Sequence, residues 1–251
     1  MQIHRTEQLR FMVKAVQGDL GRSYSSNRDV LTTIIETFPA TAILAVSALI
    51  LSSIIGIMIG VISSVRPYTF ADNFSMLVAL FGISFPPFAL GLIMALVFGA
   101  WLKWFPISGY INNGMIYLVL PMLTLALRPL AIIARLTRSS MLDVLGQDYV
   151  RTARAKGVNE WKVIIKHALR NALNPVITTI SAWLAALLGG TFFIEYIFNW
   201  PGIGLLAINS ILSLDFPMIQ GTVLFTAVIF IIVNMIVDII YAFLDPKVKL
   251  S

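Results

Sequence analysis

Long apolar runs separated by short polar stretches dominate the chain. Five windows contain no Asp, Glu, Lys or Arg. They hold 29 residues between Glu36 and Arg66, 30 between Asp72 and Lys103, 24 between Lys103 and Arg128, 24 between Arg170 and Glu195, and 22 between Asp215 and Asp238. A membrane-crossing helix needs about 20 largely apolar residues. The pattern therefore predicts spans near residues 40–63, 74–102, 115–136, 172–194 and 221–244. Apolar residues fill every face within these windows, as in helices surrounded by lipid and protein. The apolar/polar alternation of a membrane barrel is absent, so helices are expected rather than strands. Pro86-Pro87 is expected to kink or break the second span, and Pro121 and Pro129 the third. Asp245-Pro246 is expected to end the last.

Composition agrees with this class. The 251 residues are 58% hydrophobic and 12% charged, with a mean hydropathy of +0.88. Soluble domains carry about 25% charged residues, so a soluble enzyme is excluded as the default, and disorder with it. No cysteine is present, which removes disulfides, Cys-ligated metals and a thiol nucleophile. His4 and His167 are the two histidines, too few for a multi-histidine metal site in this chain, and no metal is expected.

Charge then gives orientation. From Arg135 to Arg170 stand Arg135, Arg138, Arg151, Arg154, Lys156, Lys162, Lys166 and Arg170, against Asp143, Asp148 and Glu160. The positive-inside rule makes this loop cytoplasmic. Arg66, Lys247 and Lys249 then also lie inside, which puts the C-terminus in the cytoplasm. Five spans place residues 1–38 outside as an N-terminal extracytoplasmic segment, and 39–251 form the transmembrane domain with a cytoplasmic loop over 138–171. That N-terminal segment carries Arg5, Arg10, Lys14, Arg22 and Arg28, and exporting it unaided is unfavourable. A further span before Met1 is the expected remedy.

Within the basic loop, Asp148–Lys162 reads as two short helices broken at Gly157, a residue free to adopt the positive φ of a tight turn. Alanines on one side and bases on the other suit either a protein groove or anionic lipid headgroups.

The stretch Arg151-Thr152-Ala153-Arg154-Ala155-Lys156-Gly157, followed by Lys166-His167-Ala168-Leu169-Arg170-Asn171-Ala172-Leu173, resembles the EAA loop of binding-protein-dependent ABC importer permeases. It looks most like the branch that imports dipeptides, oligopeptides or nickel. Gly18–Tyr24, Phe85–Phe88, Trp104–Tyr110, Arg135–Met141, Glu195–Gly204 and Val237–Pro246 are similar to further motifs of that branch, in the same order. Where the general loop pattern has Glu, Arg151 stands here, as is usual in the branch.

The resemblance implies an all-α polytopic membrane protein of the type I importer permease fold, with about five transmembrane helices and a cytoplasmic coupling hairpin. It implies half of a translocation path for peptides or a related small solute (a nickel chelate or an opine) in the inner membrane. It also implies as partners a second homologous permease, two cytoplasmic P-loop ATPases and an extracytoplasmic binding protein, with no nucleic acid. The chain has no G-x-x-x-x-G-K-[ST] sequence, so ATP and Mg are expected on partner subunits, with no cofactor here. The coupling residues are then Arg151, Thr152, Ala153, Arg154, Ala155, Lys156, Gly157 and Glu160.

Arg128 lies about two turns inside the third span. Read functionally it is a pore-lining base for a substrate carboxylate; the alternatives are snorkelling or pairing with Asp238. Asp238 is expected to be a structural intramembrane carboxylate, with Tyr241 on its face. Gly189 and Gly190 close the fourth span and suit helix packing or a gate. Trp200, Pro201 and Gly202 read as an outer turn with an interfacial aromatic, near a gate by the resemblance. Trp101, Trp104 and Trp183 read as belt or packing residues. A proton- or ion-coupled secondary transporter would require intramembrane acid or histidine clusters, and a non-transporting scaffold would lack the glycine-broken hairpin.

Overall fold

The computed structural model describes residues 15, 17–189 and 191–244. Nine helices carry the fold among them. They are α1 Val30–Val65, α2 Phe70–Ser84, α3 Pro87–Trp101, α4 Ile116–Leu145, α5 Asp148–Ala155, α6 Glu160–Gly189, α7 Phe192–Ile197, α8 Ile203–Leu212 and α9 Phe216–Leu244. No strand occurs among the described residues; Arg22 and Asp29 form an isolated bridge. Four helices are long and apolar enough to cross a membrane: α1, α4, α6 and Phe216–Val237 of α9. The pair α2–α3 makes a fifth, bent by 106° at its break.

That break falls at Pro86-Pro87, as expected. Pro86 is the extended N-cap of α3, and Pro87 opens the helix where no amide hydrogen bond is needed. The third span is not broken. Pro121 and Pro129 lie inside α4, and the helix runs through both without a break. Both prolines are buried against neighbouring elements, and such packing retains a helix that has lost one internal bond.

The boundaries also shift. α1 starts at Val30, ten residues before the expected span, because Asp29 caps it by accepting from the Thr32 amide at 2.8 Å. α4 continues to Leu145, and α6 starts at Glu160, so two helices extend well beyond their apolar windows. A π-helical stretch, Val163–Leu169, opens the first turns of α6.

α1 and α4 form the central pair and run parallel: Gly56 faces Ile133 and Gly60 faces Thr137. An added Cβ would stand 3.0 Å from the Leu130 carbonyl oxygen at Gly56, and 2.7 Å from that of Ala134 at Gly60. Ser52, Gly56, Gly60 and Ser64 recur every fourth residue and are all buried. This small-residue stripe lets the backbones approach closely. The main core joins Leu44, Ala48, Leu120, Leu125, Phe198 and Trp200.

Candidate functional site

The basic loop folds as a hairpin. α5 ends at Ala155, and Gly157 takes φ +73°. Asn159 then caps α6 by accepting from the Trp161 amide at 2.9 Å. A clamp crosses the turn: Arg154 Nη2 donates to Glu160 Oε1 at 2.6 Å, and Arg154 Nε lies 3.1 Å from Oε2. This contact raises the Arg154 pKa further above its usual value. Val150 and Ala153 turn inward onto Val163, Val144 and Leu145. Tyr149 Oη accepts from Asn171 Nδ2 at 2.8 Å, tying α5 to α6.

Arg151, Thr152, Arg154, Ala155, Lys156, Gly157 and Glu160 are exposed, whereas Ala153 is buried. The alanines therefore do not share a face: Ala153 packs and Ala155 points out, because they stand two residues apart on one helix. Trp161 adds a 68% exposed indole beside the turn.

α4, which leads into the hairpin, is tied to the broken helix. Asp72 in α2 is 1% exposed and takes a two-point contact from Arg138 in α4, with Nε–Oδ1 and Nη2–Oδ2 both 2.6 Å. The Tyr68 amide donates to the same carboxylate at 2.8 Å.

Beyond the Pro86-Pro87 bend lies a cavity of about 440 Å³. Phe85, Phe88, Trp183 and Phe193 form its aromatic wall, Thr124 is polar, and Arg128 is its cation. Trp183 thus faces a cavity, while Trp101 and Trp104 are exposed as belt residues are. An open hollow, also about 440 Å³, lies along the packed α6 and α9, with Gly189 against Phe230.

At the far end sits a buried carboxylate that the sequence reading did not single out. Glu195 in α7 is 0% exposed. Its Oε1 accepts from the Thr41 hydroxyl at 2.8 Å and from the Thr191 hydroxyl. Its Oε2 accepts from the amides of Gly204 at 2.7 Å and Leu205 at 3.2 Å, capping α8. A Cβ at Gly202 would stand 2.4 Å from Oε2, so the glycine is a spatial requirement.

Trp200 corrects the interfacial reading. It is fully buried, donates from Nε1 to the Ala40 carbonyl at 2.8 Å, and meets Tyr110 edge-on at 4.8 Å. An indole whose N–H finds a backbone acceptor packs inside rather than at a water boundary. Pro201 is exposed beside it.

Asp215 anchors the segment before α1. Ser23 Oγ donates to it at 2.5 Å, the Tyr24 amide at 3.1 Å, and the Ser25 amide and hydroxyl at 3.3 and 3.1 Å. Burial pushes its carboxyl up, but these donors and the Met218 amide outweigh burial and hold it below the usual value. Gly190 lies outside the described residues, as do residues 245–251, with Asp245-Pro246, and the side chains of Asp238 and Tyr241.

The family model for "Binding-protein-dependent transport system inner membrane component" matches residues 52–250. Over 239 residues the chain is 42% identical to "Glutathione transport system permease protein GsiC" of Escherichia coli O6:H1, covering 95% of this chain and 78% of that protein. The protein of that name from E. coli K12 is 41% identical over the same lengths. Among solved structures, an inward-facing MetNI methionine ABC transporter aligns with a TM-score of 0.68 at 15% identity, covering 86% of this chain and 97% of that one. An amino acid ABC transporter with histidines aligns at 0.62 and 11%, covering 88% and 99%. These two likenesses establish the fold, that of an ABC importer permease.

Proposed function

Because the chain belongs to the binding-protein-dependent transport system inner membrane component family, we propose that its glycine hinge at 157 receives motion from ATPase subunits and passes it to the spans. The chain is a multi-pass inner membrane protein, the permease subunit of an ABC importer and not an enzyme. It works with ATPase and binding-protein partners.

The observation that carries the coupling reading is the exposed, clamped hairpin itself. Arg151, Thr152, Arg154, Ala155, Lys156 and Glu160 stand outward around Gly157, while Val150 and Ala153 root the same helix in the bundle. A short helix gripped at its base moves with that base, so a push on its outer face shifts α4 and α6 as rigid rods. The Asp72–Arg138 contact extends that shift to α2 and the broken span.

The assembly we propose pairs this chain with a second homologous permease and two P-loop ATPases, which bind ATP and Mg. The hairpin end and the C-terminus face the cytoplasm, with residues 1–38 outside. The eight-to-three excess of bases over acids between Arg135 and Arg170 supports that orientation. Gly189, Trp200, Pro201 and Gly202 belong to the outer gate in this reading, supported by the close fit of Gly202 against Glu195. Asp238 acts structurally. The cargo is a small peptide-like solute of the glutathione type.

The test is uptake of glutathione into proteoliposomes holding the whole assembly. Uptake that requires both ATP and the binding protein supports the reading. Uptake without ATP, driven by an ion gradient, contradicts it.

A further inference from the structure

Arg128 occupies a position that membrane physics makes costly. It lies 12 residues after Ile116 and 7 before the exposed Arg135, about 18 Å and about 11 Å along the helix at 1.5 Å per residue. Both distances exceed the reach of an arginine side chain, so the guanidinium does not snorkel to the start of α4 or to the level of Arg135. No acid among the described residues pairs with it within 4.0 Å. An intramembrane cation without a partner faces water or a passing ligand.

Its surroundings are those of a ligand site. The cavity of about 440 Å³ has room for a small peptide, and Phe85, Phe88, Trp183 and Phe193 wall it. The span that forms one side is broken and bent by 106°, which brings the bend itself to the cavity instead of a continuous helix. A mostly apolar pocket with one well-placed cation binds an organic carboxylate by a charge-assisted contact while packing the rest of the molecule.

We infer that the Arg128 guanidinium in this cavity holds the C-terminal carboxylate of the peptide-like cargo during passage, with the aromatic wall bearing on its apolar part. This rests on the importer reading above. It assigns selectivity to the permease in addition to the binding protein.

The test uses the complete assembly in proteoliposomes, with glutathione and glutathione amidated at its glycine carboxyl as probes. Each variant rate is divided by the wild-type rate for the same probe, which cancels the preference of the binding protein. Arg128→Gln is expected to lower glutathione uptake about tenfold or more, the scale of one charge-assisted hydrogen bond. It is expected to change uptake of the amide by less than about twofold, with Arg128→Lys intermediate for glutathione. An equal loss for both probes makes Arg128 a structural cation and overturns the inference, as does no loss for either. If the wild type takes up neither probe, the glutathione-type cargo reading fails, and this inference fails with it.

Discussion

The Thr41 hydroxyl donates to Glu195 at 2.8 Å while accepting from the Ile203 amide at 2.9 Å. One side chain of α1 therefore holds both the α7 carboxylate and the first amide of α8. With one lone pair engaged by Ile203, its proton is directed to Glu195. Burial raises the pKa of this carboxyl, and the four neighbours that donate to it work in the opposite direction, towards the acceptor-only ionised form.

A Glu195→Gln chain presents an NH₂ group to one of these donor pairs. Rotation of Thr191 relieves one contact, but Thr41 is fixed. We expect a loss of about 1–3 kcal/mol, read as a lower Tm of the purified permease. Thr41→Val should cost a similar amount. The double variant should lose less than the two single losses combined, because the residues share one network. Strict additivity would show that the network is not a unit.

At Gly157 the position is open: no atom stands within 4 Å of an added Cβ, yet φ is +73°. The penalty for another residue is therefore conformational, about 1–2 kcal/mol for a residue that avoids the left-handed region. Gly157→Asn should preserve coupling between ATP hydrolysis and uptake. Gly157→Pro, whose ring forbids positive φ, should insert in the membrane but hydrolyse ATP without matching uptake. Normal coupling in the proline variant would remove the glycine from the mechanism.

Between α1 and α4 the obstacle is steric. A Cβ at Gly60 would lie 2.5 Å from Thr137 Cβ and 2.7 Å from a backbone oxygen, so relief requires the helices to separate. Gly60→Ala should cost about 1–3 kcal/mol. Gly21→Ser provides a contrast: its added Cβ meets nothing within 4 Å, and φ +83° is the sole strain. Thermal unfolding of both variants in detergent checks the ranking.

Asp215 fastens residues 23–25 to the start of α9. Because its folded pKa lies below the usual 3.8, its contribution is complete above that value and is lost as pH falls through the lowered one. At neutral pH the segment should resist proteolysis. Asp215→Asn should expose 18–28 to cleavage at pH 7, and acidification through the lowered pKa of Asp215, beneath 3.8, should do the same in the wild type.

Much of this architecture was legible as pattern. Five apolar windows gave five crossings, counting the bent pair, because an apolar run has one stable form in lipid. The Pro86-Pro87 break and the Gly157 turn were legible because both residue types restrict or widen φ directly. The interior carboxylates were not. Asp72, Glu195 and Asp215 served as the borders of apolar windows, the natural reading of a charge beside a span. In the structure they are 1%, 0% and 1% exposed. Their donors are Arg138, Thr41 and Ser23, which lie 66, 154 and 192 residues away. No local pattern carries that information. The Trp200 reading failed for the same reason, since its acceptor, Ala40, lies 160 residues off. The stripe Ser52, Gly56, Gly60, Ser64 was visible as small residues at a spacing of four and is the signal that could have placed α1 against a close neighbour.

The hairpin account is tested most directly by a cysteine at Ala155. The chain has no cysteine of its own, so Ala155→Cys supplies a single thiol on the exposed turn. The account predicts labelling by a membrane-impermeant maleimide in inside-out vesicles only, and a thiol-specific cross-link to the ATPase subunit whose yield changes with ATP. Labelling in right-side-out vesicles, or no cross-link to the ATPase in the assembled complex, would contradict it.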